Sequence, residues 1–209
     1  MNDAALRRVF DLSASGFLLI TLSPVLVILL LGSWIACPWP PIFMAWRVGK
    51  AGQLYRHYKF RSMRAGPRFG RVYFESARMN AWGRFIRRWH GDELPELIHI
   101  FCGQMSFVGP RPLLPEHLLA FDAQHRQSVL PGWAGFAQLA LLRNGLLQGG
   151  EQIFLDNAYV ARISLSLNWR ILKGTMYDSL FRRKTLVADL GINQYRRHLG
   201  TKQDIGDAT

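Results

Sequence analysis

Asp92 and Glu93 stand side by side in the stretch HGDELPELIHIFCGQMSFVGPRP, His90 to Pro112. Arg84, Arg87 and Arg88 precede the pair, and Arg111 follows it in a turn-rich Val-Gly-Pro-Arg-Pro segment. Two adjacent carboxylates permit two jobs. One can attack phosphorus as a nucleophile. The other can help hold Mg2+, which takes carboxylate oxygens together with substrate phosphate oxygens and neutralises charge as a phosphoryl group moves. The neighbouring arginines can grip phosphate oxygens with a planar fork. The set suits a phosphate-bearing substrate. An acidic pair in the first turn of a helix is also an ordinary response to the helix dipole, so the pair alone does not decide.

Other chemistries find no footing. His57, His90, His99 and the two cysteines lack zinc-ligand spacing. There is no Walker lysine motif, no GxGxxG after a strand and no GxSxG elbow. The basic clusters match no RNA- or DNA-binding motif.

The pair must be positioned. Leu94, Leu97, Ile98 and Phe101 recur at helical spacing and predict an amphipathic helix from Asp92 to about Cys102, with Pro95 in its first turn. That places the acidic pair at a helix N-terminus, where anions gather. Trp82 to Trp89 predicts a short basic helix. Arg47 to Met63 predicts a hairpin turning at Gly49 and Gly52. Gly66 to Arg78 reads as a loop, and Leu113 to about Leu130 as a helix begun by Pro115-Glu116. Pro131 to Gln138, PGWAGFAQ, reads as a Gly-rich loop. Leu139 to Gln152 reads as a loop suited to specificity. Ile153 to Phe181 reads as helical, although Ile163, Leu165, Leu167 and Trp169 alternate as in a strand. Two basic, partly apolar segments, Phe181–Val187 and Gln194–Gly200, either lie on an acidic membrane or are solvated charged faces. The tail from Thr201 is polar and expected to be disordered.

The chain has 209 residues, enough for one core, with or without an anchor. Its net charge of +12 predicts an anionic partner: nucleic acid, an acidic membrane surface or a phosphorylated substrate. Cys37 and Cys102 make no disulfide framework, which fits a reducing compartment.

No charged residue stands between Asp11 and Arg47. The most apolar part, Gly16 to Ala36, is about the ~20 residues a bilayer span needs. A signal peptide, a plain transmembrane helix and a re-entrant helix are the three readings. Against the first, the apolar core is too long and CPWPPIF is a poor cleavage site. For the third, Ser23-Pro24 sits mid-run. Proline removes a donor and kinks the helix, and a nearby Ser hydroxyl can satisfy a freed carbonyl. Arg7 and Arg8 precede the run while Arg47 and Lys50 follow it, so both ends qualify for the cytoplasmic side. Trp34, Trp39 and Trp46 would lie at headgroup level.

Several stretches, in order, resemble the bacterial sugar transferases, the monotopic polyprenol-phosphate phosphoglycosyl transferases. These are RVFDL and LSP, RVGKAG and YKFRSM, GRFIRR, DELPEL, MSFVGPRP, and PG followed by AGFAQ. Asp156, Tyr159 and Ser164 match less specifically, and the likeness runs from about Leu6 to Thr175. The resemblance implies a protein on the cytoplasmic face of the bacterial inner membrane. It would move a sugar-1-phosphate from a UDP-sugar to undecaprenyl phosphate, releasing UMP and starting a surface glycan that downstream glycosyltransferases extend. It implies Asp92 as nucleophile through a covalent phosphosugar-aspartyl intermediate, and Mg2+ held by Glu93 with Asp92. Lys59, Arg61 and Arg111 are implied to meet phosphate, with Arg87 and Arg88 as further candidates. Ser23 and Pro24 would be the membrane kink. The short lead before the apolar run leads to the expectation of a minimal catalytic core.

The expected fold is mostly α with a small β-hairpin. It has a re-entrant membrane helix over residues 1–46, a compact cytoplasmic α/β domain with interfacial amphipathic helices over 47–200, and a tail over 201–209. The chain also departs from the family pattern. His90-Gly91 replaces Ser-Leu, losing a capping box. Asn80 replaces Thr, Glu96 replaces Gln, His99 replaces Asn, Gln104 replaces Asp and Ala134 replaces Thr. Two other classes of function compete: an inactive homologue scaffolding glycan assembly, and a single-pass protein with a basic nucleic-acid-binding domain. No nucleic acid partner is expected from the leading reading.

Overall fold

The computed structural model describes residues 3–37, 39–64, 78–116, 125–144 and 149–181. Its N-terminal part is a bent helical pair, α1 (Asp3–Thr21) and α2 (Ser23–Ala36), whose axes differ by 66°. The bend has a local cause. Pro24 has no N–H to give to the carbonyl of Ile20, and the Ser23 hydroxyl donates to that carbonyl at 2.8 Å instead. Among the described residues no single helix is long and apolar enough to cross a membrane; this bent pair passes the test only together.

Next come β1 (Ile42–Val48) and β2 (Leu54–Phe60), an antiparallel hairpin whose register pairs Phe43 with Lys59 and Arg47 with Tyr55. The expected hairpin is there, but β1 starts at Ile42, so the 46/47 boundary drawn from charge falls within a strand. Alternation puts Tyr55, His57 and Lys59 on one face of β2. The basic helix α3 spans Ala81–Arg87. Asn80 caps it, accepting from the Gly83 N–H at 2.7 Å, so the Thr-to-Asn departure keeps a good cap.

The helix expected over Asp92 to Cys102 is divided. Gly91–Glu93 is a 3-10 turn, and α4 covers only Glu96–Phe101. Pro95 is the cause: without an N–H it cannot continue the α-helical ladder. The acidic pair thus sits in its own tight turn, entered through His90 at φ 57.

The two Gly-rich segments interlock. β3 (Ser106–Val108) pairs in parallel with β4 (Gly132–Ala134). The Gly109 N–H donates to the Ala134 carbonyl and the Gly132 N–H to the Pro110 carbonyl, both at 2.8 Å. A Cβ on Gly132 would lie 1.9 Å from the Gly109 nitrogen, so only glycine permits this approach. Pro131–Gln138 is therefore a strand followed by the start of α5 (Phe136–Asn144) rather than a loop. Helix α6 (Gly149–Val160) also replaces the far end of the loop expected over Leu139–Gln152. Ile153–Phe181 is two helices, α6 and α7 (Leu165–Phe181). The Ser164 hydroxyl accepts from the Leu167 N–H at 3.2 Å and restarts the chain as α7. In the expected Leu113–Leu130 helix, Leu113 is instead bridged to Val48, and His125–Ser128 is a 3-10 turn. The segments Gly66–Arg78 (all but its last residue), Phe181–Val187 after its first residue, Gln194–Gly200 and the tail lie outside the described residues.

The main core joins β2, α4, β3 and α5–α7 around Leu97, Ile100, Met105, Leu139, Tyr159 and Ile171. A smaller cluster of Leu29, Phe60 and Ile86 ties α2 to the hairpin and α3. Burying side chains of this size contributes about 1.5–3 kcal/mol each. Helix α1 is fastened by polar contacts. Arg8 donates to the last carbonyls of α4, at 2.7 Å to Ile100 and 2.8 Å to Phe101, and the Asp11 carboxylate accepts from the Phe107 N–H at 3.1 Å. Cys37 is buried, Cys102 is exposed, and both are free thiols.

Candidate active site

Lys59, at the end of β2, reaches the 3-10 turn. Its ammonium donates to Glu93 Oε1 and lies 3.2 Å from Glu96 Oε1 in the first turn of α4. Burial alone would lower the pKa of Lys59, but Glu96 and Glu93 outweigh it and hold the ammonium above its ordinary value. Glu93 is pushed up by burial and pulled down harder by Lys59, with Arg111 and His90 behind it, so it stays ionised below the usual range. Asp92 is only 5% exposed. Burial and the neighbouring Glu93 raise its pKa, against the pull of Lys59 and Arg87. The pair is thus electrostatically unequal: one carboxylate is neutralised by a lysine, the other kept more basic.

Arg87 supports Asp92. Its Nε lies 3.6 Å from Asp92 Oδ2 and donates to Ser62 Oγ at 2.8 Å. Arg111 is exposed and lines the same open cleft as Glu93, Lys59 and Glu96, with Arg47, His57, Trp133 and Gln138 completing its wall. The cleft is shallow and open to solvent. Cations from β1, β2 and the Pro-Arg-Pro segment therefore converge on one opening beside the acidic turn.

Arg61 and Arg88 are placed differently. The Arg61 Nε donates to the Pro40 carbonyl at 2.6 Å, which ties the hairpin to the segment after α2. Arg88 is exposed at the C-cap of α3. Ser23 and Pro24 are at the bend, remote in sequence and function from the acidic turn.

Sequence reasoning did not pick out the second layer. His57 Nε2 lies 3.1 Å from Glu96 Oε1. The His57 ring stacks on that of His99, centroids 5.7 Å apart and planes 10° apart. His99 Nε2 accepts from the Tyr58 N–H at 3.0 Å, so its proton is on Nδ1 and is donated to Gln104 Oε1 at 2.7 Å. Burial, with His57 nearby, lowers the His99 pKa and keeps the ring neutral. Three departures from the family pattern, Glu96, His99 and Gln104, are therefore one connected set. Their scatter over nine positions hid this, and only the short i to i+3 and i to i+5 spacings hinted at contact.

A second buried pair steadies Arg111. Arg126 lies 2.7 Å from Asp156 Oδ2 and donates to the Arg111 carbonyl. Burial drives the Asp156 pKa up to about 7, against the pull of Arg126. Tyr159, one turn on, donates to the Val108 carbonyl at 3.2 Å and lies 2.9 Å from Asn168 Oδ1.

Among the described residues no group of three His, Cys, Asp or Glu side chains could hold a metal by itself. The donors at the cleft are hard carboxylate oxygens, the type Mg2+ accepts when substrate phosphates complete its shell. Glu93 at the cleft, and Asp92 beside it in the turn, carry donors of that kind.

The sequence pattern of the family described as bacterial sugar transferase matches residues 2–182. The exopolysaccharide production protein PSS of Rhizobium leguminosarum is 32% identical over 198 residues, covering 87% of this chain and 98% of that protein. The undecaprenyl-phosphate glucose phosphotransferase of Komagataeibacter xylinus is 32% identical over 208 residues, covering 87% of this chain and 37% of that protein. The UDP-glucose:undecaprenyl-phosphate glucose-1-phosphate transferase of Escherichia coli is 35% identical over 147 residues, covering 64% of this chain and 31% of that protein. The chain thus spans nearly all of the first relative and about a third of the other two.

Proposed function

The chain belongs to the bacterial sugar transferase family, enzymes of glycosyl-1-phosphate transfer, and from that premise we propose that it transfers a sugar-1-phosphate from a UDP-sugar to undecaprenyl phosphate. The observation that carries the reading is the acidic turn itself: a buried Asp92 next to a Lys59-bound Glu93, with Glu93 lining a cleft where Arg47 and Arg111 converge.

The reaction runs in two displacements at one phosphorus. An Asp92 carboxylate oxygen attacks the sugar-bearing phosphorus of the donor, and the bond from that phosphorus to the bridging oxygen breaks. UMP leaves with the electron pair, and the sugar phosphate is held as an acyl phosphate on Asp92. A phosphate oxygen of undecaprenyl phosphate then attacks the same phosphorus and expels the Asp92 carboxylate. The product is the lipid-linked diphosphate sugar. The raised pKa of Asp92 makes its oxygen more basic and a better nucleophile. Lys59 and Arg111 offset the negative charge of the diphosphate and of the departing UMP. Mg2+, when bound through Glu93 and Asp92, supplies further neutralisation of phosphate charge. Arg87, with its Nε 3.6 Å from Asp92 Oδ2, helps to hold that carboxylate in place.

The bent pair α1–α2 acts as a re-entrant anchor, with the catalytic domain on the cytoplasmic face of the inner membrane. Its outward side chains support this: Phe17, Ile20, Ile28, Trp34 and Ile35 are all more than half exposed. A contiguous apolar surface of this kind on a soluble domain marks a partner or a membrane. Arg7 and Arg8 at one end and Arg47 and Lys50 at the other favour the same, cytoplasmic side, where acidic lipids lie.

The test is UMP release by protein in nanodiscs with Mg2+, undecaprenyl phosphate and a panel of UDP-sugars. Release with one donor, lost in Asp92→Asn, is expected. Silence across the panel from folded protein would leave a scaffold in glycan assembly. For the anchor, a thiol placed by Asn2→Cys is expected to resist an impermeant reagent added to intact cells; labelling from outside would sink re-entrance.

A further inference from the structure

Lys59 has two carboxylate partners where one would neutralise it. Glu93 comes from the 3-10 turn, with its side chain 26% exposed to the cleft. Glu96 comes from α4, and its side chain is only 5% exposed. The two are not equivalent. Glu93 is at the mouth, where a cation and phosphates would engage it. Glu96 is nearly buried, and its Oε1 also lies 3.1 Å from His57 Nε2. His57 cannot easily withdraw: it stacks on His99, and Tyr55 packs edge-on at 6.0 Å. His99 in turn is pinned at both ring nitrogens, by the Tyr58 N–H and by Gln104. The chain Gln104–His99–His57–Glu96 therefore ends on the Lys59 ammonium as a rigid brace.

We propose that Glu96, braced by His57, is a positioning residue that keeps Lys59 at the cleft when Glu93 is drawn off by Mg2+ and substrate phosphate. The inference rests on the proposed reaction in one respect, that Glu93 is the carboxylate engaged. The physical reason is the cost of a mostly buried ammonium, its side chain 22% exposed, without a counter-charge. With Glu96 in place, Lys59 keeps a carboxylate partner whatever Glu93 does. With glutamine there, Lys59 and the cation compete for Glu93, and engaging the cation turns Lys59 loose. Glu96 thus lowers the Mg2+ concentration the site needs and keeps Lys59 aimed at phosphate.

The test compares the full chain with Glu96→Gln in nanodiscs. The first readout is the rate at which an amine-reactive reagent modifies Lys59, mapped by mass spectrometry, with and without millimolar Mg2+ and no other ligand. Wild-type Lys59 is expected to react slowly in both conditions. In Glu96→Gln the rate is expected to rise about tenfold when Mg2+ is added. Equal rates in the two proteins under both conditions would overturn the proposal. The second readout is the Mg2+ dependence of UMP release. Half-saturation is expected to rise about fivefold in Glu96→Gln, and turnover at saturating Mg2+ to fall several-fold, because Lys59 is then loose. A lower turnover with unchanged half-saturation would mean a merely structural role and would also overturn it. If Glu96→Gln loses cooperative unfolding, Glu96→Asp, which keeps the charge but draws the oxygen back, is read by the same labelling. A wild-type protein that shows the labelling contrast but releases no UMP would sink the proposed reaction and leave the brace standing.

Discussion

The bent helical pair and the cleft domain solve opposite problems with the same residue types. In α1 and α2 the polar side chains Asp11, Ser15 and Ser33 are buried against the domain, while Ile20 is 76% and Ile35 87% exposed. In the domain the order is reversed: Leu97, Ile100 and Ile171 are enclosed, and the cations stand at the cleft. Arg8 and Asp11 add hydrogen bonds to backbone groups of the domain, beside the apolar packing of Ala14, Leu18 and Leu19 on the main core. The contrast teaches that each surface is matched to its own solvent. The pair turns its polar groups inward because its outer face is apolar. The domain can bury charge only where a counter-charge is built beside it.

The largest effect that sharpens this contrast is expected at Asp92. Asp92→Asn removes the proposed nucleophile and, on the proposed reaction, should lower UMP release by roughly 10³-fold or more. Its unfolding temperature should be unchanged or slightly raised, because burial disfavours the charge that the substitution deletes. Paired turnover and thermal unfolding measurements check both halves; a large fall in unfolding temperature would mean that Asp92 is structural.

Asp156 tests the cost of buried charge through pH. Its folded pKa of about 7 is raised from an unfolded value of 3.8, so the folded state holds a proton that the unfolded state releases. This contribution to stability is full below pH 3.8 and is lost as pH rises to about 7. A shift of about 3 units corresponds to about 4 kcal/mol over that window. Asp156→Asn should flatten that part of the stability profile, measured by denaturant unfolding at several pH values. An unchanged profile would mean that Arg126 keeps Asp156 ionised throughout.

A third expectation concerns the seam between the two regions. A Cβ on Gly32 would lie 2.2 Å from the Trp82 ring, whose Nε1 donates to Ser33 Oγ at 3.0 Å. Gly32→Ala should force the indole off α2 and cost about 1–3 kcal/mol. Trp82 fluorescence should shift with it, while a variant at exposed Ile35 should leave the emission unmoved.

The smallest effect is at His90, a residue with a Cβ held at φ 57. His90→Gly should relieve about 1 kcal/mol of backbone cost, partly offset by the greater freedom of glycine when unfolded. Thermal unfolding would show a rise of a few degrees at most; a clear fall would assign His90 a contact, with Glu93 at 3.9 Å the first suspect.

Much of this was legible from the residues, and the exceptions have specific causes. The bend at Ser23-Pro24, the hairpin and the basic helix follow from rules that act within a few residues. The acidic turn was recognised but given the wrong local geometry, because Pro95 was read as tolerated inside a first turn when it ends one helix type and begins another. PGWAGFAQ was read as a loop because its strand is short and its partner, Ser106–Val108, lies more than 20 residues away in the chain. Arg61 was grouped with Lys59 as phosphate-facing. Two residues apart on an extended chain they share a face, but the strand ends at Phe60, and beyond it Arg61 turns to Pro40.

By itself the sequence determined the apolar run and its kink, the adjacent carboxylates, the basic field and the ordered motifs that mark the family. These depend on residue identity and near-neighbour sterics, which act before any fold exists. Only the tertiary structure decided which cations meet which carboxylates. It decided that Lys59 is shared by Glu93 and Glu96, that Arg126 clasps Asp156, and that His99, Gln104 and Glu96 are one set. Such pairings join residues brought together by packing and strand register. Many pairings satisfy the same composition, and only the one compatible with the enclosed core is realised.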